Sequence, residues 1–207
     1  MTASREPILR PVAIAALRPT QLTVGMREVE VKRRAWKARD QHKDLEFLEK
    51  HMFPVIRGPQ ERIYVVDHHH LALALIRQKV TRVLVHVLAD FSRLDADLFW
   101  PVMDSRGWVH PFDAQGTRRS YNAIPATMQG LLDDPFRSLA GELRRLGGFA
   151  KETAPFAEFQ WADYLRRRIK QPRGDDAFQR ALKKAFKLAK AKDADYLPGW
   201  CGAAPED

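Results

Sequence analysis

A chain of 207 residues, 45% hydrophobic and 29% charged, has room for one well-buried domain with an extension, and this balance excludes a disordered chain. The formal charge is +9, and residues 137 to 192, with 15 basic and six acidic residues, carry all of it, so a basic C-terminal third follows a neutral body. The single cysteine, Cys201, excludes an internal disulfide and a Cys-rich metal site, and no apolar run reaches the roughly 18 residues of a membrane span. Arg10, Pro11, Arg18 and Pro19 interrupt the apolar N-terminal stretch, so no signal peptide and no membrane partner are expected, and a cytoplasmic location is the simplest reading.

In chain order, a strand is expected around Pro11 to Ala15, leading into the loop LRPTQLTVG. Met26 to Lys50 is rich in Glu, Lys, Arg and Ala, a helical composition, with a second helical segment before MFPVIRGP. Pro54 to Arg57 reads as a short strand, and GPQER (58 to 62) as the turn of a hairpin into IYVVD. His69 to Lys79 reads as a helix with Leu71, Leu75 and Ile76 on its buried side. In the strand VTRVLVHVLAD (80 to 90), Val83, Val85 and Val87 alternate with Arg82, Leu84 and His86. Residues 104 to 120 read as a long loop or small hairpin. Asp134-Pro135 starts a helix that Gly147 stops. A second helix covers Glu158 to Ile169. Asp175 or Asp176 caps a third, whose apolar face is Phe178, Leu182, Ala185, Phe186 and Ala189. Phe156, Phe159, Trp161 and Tyr164 read as core. The expected fold class is α/β (α+β): a small mixed sheet with helices over residues 1–100, and a mostly helical extension packed on it over 101–207.

The run IYVVDHHHLALAL (63 to 75) carries the chemistry. With Asp67 as N-cap, His68, His69 and His70 occupy a helix's first turn, where exposed amides disfavour a cation. Three adjacent imidazoles gain little stability there, so an anionic ligand is the natural explanation. Helix N-termini bind phosphate through free N–H groups, and imidazoles donate to phosphate oxygens or exchange protons with them. Helical metal ligands usually sit three or four residues apart, whereas neighbours are offset by roughly 100°. Asp67 with one histidine is still a candidate to help hold Mg²⁺ through phosphate or water. The competing structural reading has one histidine packed inward, one on a backbone carbonyl and one exposed.

VDHHHLALAL, with LRPTQLTVG, PVIRGP, DDPFRSLAGELRR and FAEFQWADYLRRRI around it, resembles the putative ParB-like nuclease family of the ParB/sulfiredoxin superfamily. The resemblance covers roughly residues 8 to 170. It implies a ParB/sulfiredoxin-like core and a nucleotide-phosphate site at the start of the helix after the motif strand. In the superfamily's free-serine kinases the motif is Asp-Gly-His-His-Arg, matched here by Asp67, His69 and His70. His68 stands for the glycine and Leu71 for the arginine, so another basic residue must supply the phosphate clamp. Sulfiredoxins carry a cysteine at the place of His69, which argues against sulfinic acid repair. Partitioning ParB proteins carry Glu-Arg-Arg and a helix-turn-helix domain; neither is found, which argues against centromere binding.

Thr20 and Gln21 lie in the loop before Gly25, and Glu28 follows. In the related kinases a glutamate from this region is the base, so Glu28 is the first candidate and Glu30 the second, against a plain Glu28–Lys32 surface pair. Arg137 and Ser138, in a helix's first turn, and Arg118 and Arg119, in a glycine-containing loop, are candidate phosphate contacts. Arg180, Lys183, Lys184, Lys187 and Lys190 form a basic stripe on the last helix, with Lys183, Lys187 and Lys190 as candidate nucleic-acid contacts.

The leading expectation is an enzyme, a phosphotransferase or phosphohydrolase, that binds a nucleotide (ATP or ADP type, with Mg) or another phosphate ester and transfers or cleaves a phosphoryl group. His69 and His70 act with Glu28, while Asp67, His68, Thr20 and Gln21 bind. The alternatives are a ParB-like DNA nuclease and a non-catalytic, nucleotide-gated DNA-binding module. The sequence leaves the oligomeric state open.

Overall fold

A computed structural model describes residues 10–39 and 44–202. Its strands are β1 (Arg10–Ala13), β2 (Leu17–Arg18), β3 (Thr23–Val24), β4 (Phe53–Arg57), β5 (Ile63–Val65), β6 (Arg82–Asp90) and β7 (Leu132–Asp133). Its helices are α1 (Met26–Lys37), α2 (Asp44–Lys50), α3 (His69–Arg77), α4 (Ala96–Ser105), α5 (Pro135–Arg145), α6 (Ala157–Arg166) and α7 (Asp175–Lys190). The helical expectation for Met26 to Lys50 is met by α1 and α2; residues 40–43 lie outside the described residues. The mixed α/β class is as expected. The chain forms two compact units that interleave along the sequence. The first takes the chain up to Leu22, Val29–Pro111 and Arg119–Leu131; the second takes Thr23–Glu28, Phe112–Arg118 and the chain from Leu132 onward.

The first unit contains a five-stranded mixed sheet of order β1-β6-β4-β5-β2. β1 runs antiparallel to β6, β6 parallel to β4, β4 antiparallel to β5, and β5 parallel to β2. The predicted hairpin is present, with Val55 opposite Val65. Its turn needs Gly58, because a Cβ there would lie 2.6 Å from the Tyr64 ring and 2.8 Å from the Phe99 ring. The alternation predicted for β6 holds at the buried Val83 and Val85 but fails at Val87, which is 41% exposed. Val55 pairs with Val87 and Ile56 with Ala89, so Leu88 is an extra residue in β6 and the register breaks there.

α3 is enclosed, not one-sided: every residue from His69 to Leu75 is buried. It packs against the short helical turns at Ile14–Ala16 and Met128–Gly130. β2, β3, β7 and α4 were not foreseen. α4 begins at Asp95, whose side chain accepts from Leu98 N–H at 2.9 Å, and it buries Phe99 and Met103 one turn apart. Pro101 inside the helix conceals it from a propensity reading.

The second unit holds β3 and β7, paired in parallel, with α5, α6 and α7. α5 starts as predicted, with Asp134 accepting from Phe136 N–H at 2.9 Å. It ends in a Schellman motif: Gly148 N–H donates to Leu143 O at 2.9 Å and Gly147 N–H to Arg144 O at 3.0 Å. α6 stops at Arg166, short of Ile169, and its N-cap Phe156 is only half-buried. Phe159, Trp161 and Tyr164 are core residues, as expected. α7 is capped by Gly174; Asp175 and Asp176 lie in its first turn, favourably placed against the helix dipole. Its buried stripe includes Ala181, whereas Phe186 sits at the border, 37% exposed. No helix among the described residues is long and apolar enough to cross a membrane.

Candidate functional site

The β5–α3 junction places the histidines in three different environments. Asp67 is not the N-cap. That position belongs to His68, whose carbonyl accepts the first helical bond from Ala72 N–H at 2.9 Å. His68 sits in the left-handed region at φ 68°, ψ 21°, which favours glycine. The exposed Asp67 carboxylate accepts His68 N–H through Oδ1 at 2.6 Å, and its Oδ2 lies 3.8 Å from His68 Nε2. The His68 ring packs edge-on against Phe53, and a third of its side chain stays exposed.

His69 is buried, and its Nε2 accepts Thr20 N–H at 3.1 Å. A backbone N–H can only donate, so Nε2 carries the lone pair and Nδ1 the hydrogen, and the ring is neutral. Burial pushes its pKa down to about 4, with the Asp67 charge opposing and His68 adding to the fall. Thr20 Oγ1 donates to Val65 O at 2.8 Å, and Thr20 O accepts His110 N–H at 2.8 Å. Gln21 is buried and forms a bridge to His110. His70 and His110 are also buried. The structure therefore gathers Thr20, Gln21, Asp67, His68 and His69 around one junction and adds His110. His110 escaped the sequence reading because WVHP carries no motif or periodicity.

Neutral His69 makes stability depend on pH. Its folded pKa lies below the unfolded value of about 6.5, so its contribution is complete above that pH and is lost as pH falls towards 4. The loss amounts to about 3 kcal/mol in that window. Urea unfolding between pH 7.5 and 4.5 is expected to show it, and His69→Gln to remove about one proton from the slope. Identical slopes for the two proteins would refute the buried neutral ring.

Glu28 lies in the second unit, where its Oε2 accepts Arg137 Nη1–H at 3.1 Å. The competing pair with Lys32 is therefore not its environment. Arg137 also faces Glu158 at 3.8 Å and lies over the Phe159 ring at 5.3 Å. Arg144 approaches the other oxygen of Glu158 at 3.0 Å. Glu30 is held by Arg33 and Arg34 on the surface of α1, and these bonds bring its carboxyl down to about 2, too weak a base near neutrality. Ser138 Oγ accepts Arg27 N–H at 3.3 Å. A Cβ on Gly25 would lie 2.8 Å from Ser138 N and Oγ, so the first turn of α5 is covered by the chain itself. Asp134 and Arg166 complete that cover through a bond of 2.7 Å. Burial raises the Asp134 pKa, and Arg166 opposes the rise.

Arg118 and Arg119 are exposed: Arg118 bridges to Phe112, and Arg119 N–H donates to Pro111 O at 2.7 Å. Lys183 and Lys187 are exposed on α7, whereas Lys190 Nζ reaches Gly147 O at 3.3 Å. Among the described residues, no group of three or more His, Cys, Asp or Glu could hold a metal ion.

The chain is similar to a solved structure, protein Atu1540 from Agrobacterium tumefaciens, at 52% identity and a TM-score of 0.90, over 97% of this chain and 100% of that one. No curated protein matches it. Residues 10–167, which contain the whole β5–α3 junction and the Glu28–Arg137 pair, match the family described as "Putative ParB-like nuclease". The chain belongs to the putative ParB-like nuclease family.

Proposed function

We propose that the chain is a phosphate-ester enzyme. It receives the phosphate of a nucleotide or nucleic acid at the N-terminus of α3, and it cleaves or transfers the phosphoryl group there. The carrying observation is His68: a histidine in a backbone conformation suited to glycine, partly exposed, beside an exposed carboxylate, at the start of a helix. In this reading His68 exchanges the proton with the reacting oxygen, and Asp67 stabilises its imidazolium. His69 is a positioning residue, since protonating Nε2 would break its bond to Thr20 N–H. His70, Thr20 and Gln21 shape the buried side of the site, and Arg119, exposed in the same unit, is the candidate to close over the substrate.

Magnesium fits this junction only as an ion carried by substrate phosphates. One Asp67 oxygen is taken by His68 N–H, which leaves one carboxylate oxygen rather than a protein cage. Such an ion would neutralise phosphate charge. Glu28 is tied to Arg137, so a base role for it requires that pair to open on binding.

A DNA nuclease is the second reading. It is favoured by the family's description and by the exposed Lys183 and Lys187 on α7. One experiment separates the two. The protein with Mg²⁺ is given ATP plus a panel of small hydroxyl acceptors, and separately single-stranded and duplex DNA, at low salt. Phosphorylated acceptor or released phosphate supports the metabolite enzyme. DNA fragments support the nuclease, together with a salt slope that flattens by roughly one unit for each of Lys183 and Lys187 that is neutralised. No turnover in either arm, together with nucleotide affinity unchanged in His68→Ala, would refute the proposal.

A further inference from the structure

A cleft of about 540 Å³ opens in the first unit, and no residue from Val66 to His70 lines it. Its size is in the range of small-ligand sites. One wall is aromatic: Trp100 and Tyr121 are near-parallel at 12° with centroids 5.8 Å apart, and Tyr64 meets Trp100 edge-on at 5.4 Å. Tyr121 is held in place by its hydroxyl, which donates to Asp104 Oδ2 at 2.6 Å. Arg18 and Arg62 also line the cleft, and among the described residues neither forms an ion pair. The one lining carboxylate, Asp95, is engaged in capping α4 through Leu98 N–H.

The turn that leads to Arg62 is closed by a backbone hydrogen bond. Gly58 N–H donates to Arg62 O at 2.8 Å, and Gln60 and Glu61 hold φ values of 57° and 56° in the left-handed region. Two adjacent non-glycine residues in that region cost of order 1 kcal/mol each, strain that tends to gather at ligand sites. Asn122 adds an amide that can both donate and accept. A flat ring for the aromatic wall, an anion for two arginines and a hydrogen-bonding edge for an amide together describe a nucleobase with an attached phosphate.

We propose that this cleft is a second ligand site, taking a nucleobase against Trp100 and Tyr121 and its 5′-phosphate on Arg18 and Arg62. The site shares no lining residue with the run from Val66 to His70. The ligand is either a free mononucleotide or the 5′-phosphorylated end of a single strand.

The test is calorimetry on the full chain with adenosine 5′-monophosphate, adenosine, inorganic phosphate and a 5′-phosphorylated tetranucleotide. Arg62 is exposed, so Arg62→Ala is expected to keep the wild-type melting temperature. It should weaken the monophosphate about tenfold while leaving adenosine unchanged. Tyr121→Leu should weaken both. The titrations are repeated in a His68→Ala background, in which phosphate binding at the α3 junction is weakened, so that what remains reports the cleft and a failure at the junction stays distinct from a failure here. Tighter binding of the tetranucleotide than of the mononucleotide identifies a strand end, and the reverse identifies a free nucleotide. The proposal is overturned by no monophosphate binding at millimolar concentration, by inorganic phosphate binding as tightly as the monophosphate, or by unchanged monophosphate affinity in Arg62→Ala.

Discussion

In a His68→Gly variant, binding and turnover of phosphate esters are expected to fall about tenfold or more, as for removal of a proton-transfer group, while stability holds or rises. The backbone at His68 has φ 68°, where an L-residue is strained by about 1–2 kcal/mol and glycine is not. Glycine returns part of that gain through the greater freedom of the unfolded chain. The net change is therefore between zero and about 1 kcal/mol, or a rise of up to roughly 2–4 °C in melting temperature for a chain of this size. The comparison with His69→Ala makes the experiment discriminating. That substitution removes a buried ring and strands the Thr20 N–H, which should cost about 2–4 kcal/mol. Activity that falls together with stability in His68→Gly would mark His68 as a packing residue and remove it from the mechanism. The resembled kinase motif carries glycine at this position. This chain has a histidine there instead, in the left-handed backbone conformation.

Arg137→Met is expected to destabilise the protein by about 3 kcal/mol, because it removes the guanidinium that faces the Glu28 and Glu158 carboxylates at a site little open to solvent. The side chains of Arg137 and Glu28 are 8% and 12% exposed, so solvent screens the pair little. The melting temperature should fall by on the order of 10 °C. Glu28→Gln alone should cost less, since Arg137 keeps Glu158. The double variant Glu28→Gln/Arg137→Met should be more stable than the sum of the two single effects by about 1–3 kcal/mol, as expected for two groups in one buried pair. Additive effects would break this account of the pair. Glu28→Gln that abolishes turnover at unchanged stability would return Glu28 to the role of base and Arg137 to that of phosphate clamp.

Some of this protein was legible in local chemistry. Asp134-Pro135 and Gly147 marked both ends of α5, since a carboxylate cap, a fixed proline φ and a glycine stop act within one turn. The β4–β5 hairpin followed from β-branched residues around GPQER. α4 was hidden because Pro101 argues against a helix locally, while burial of Phe99 and Met103 decides in its favour. Val87 departs from the alternation rule: it stays in register with Val55, just before the register breaks, and is nevertheless exposed. The three histidines were visible as a group, but their division of labour was not. It depends on Thr20, 49 residues away, reaching Nε2 of His69, and on the backbone turning left-handed at His68.

The sequence by itself determined the mixed α/β class, the family, the basic last helix and the existence of a histidine-bearing strand–helix junction. These follow from period, capping and motif, which are properties of neighbouring residues. Only the tertiary structure decided that His69 is neutral and buried, that Glu28 belongs to Arg137, and that Arg18 and Arg62 meet an aromatic wall. Each of those depends on desolvation or on a partner far along the chain, and both come into being only when the chain has folded.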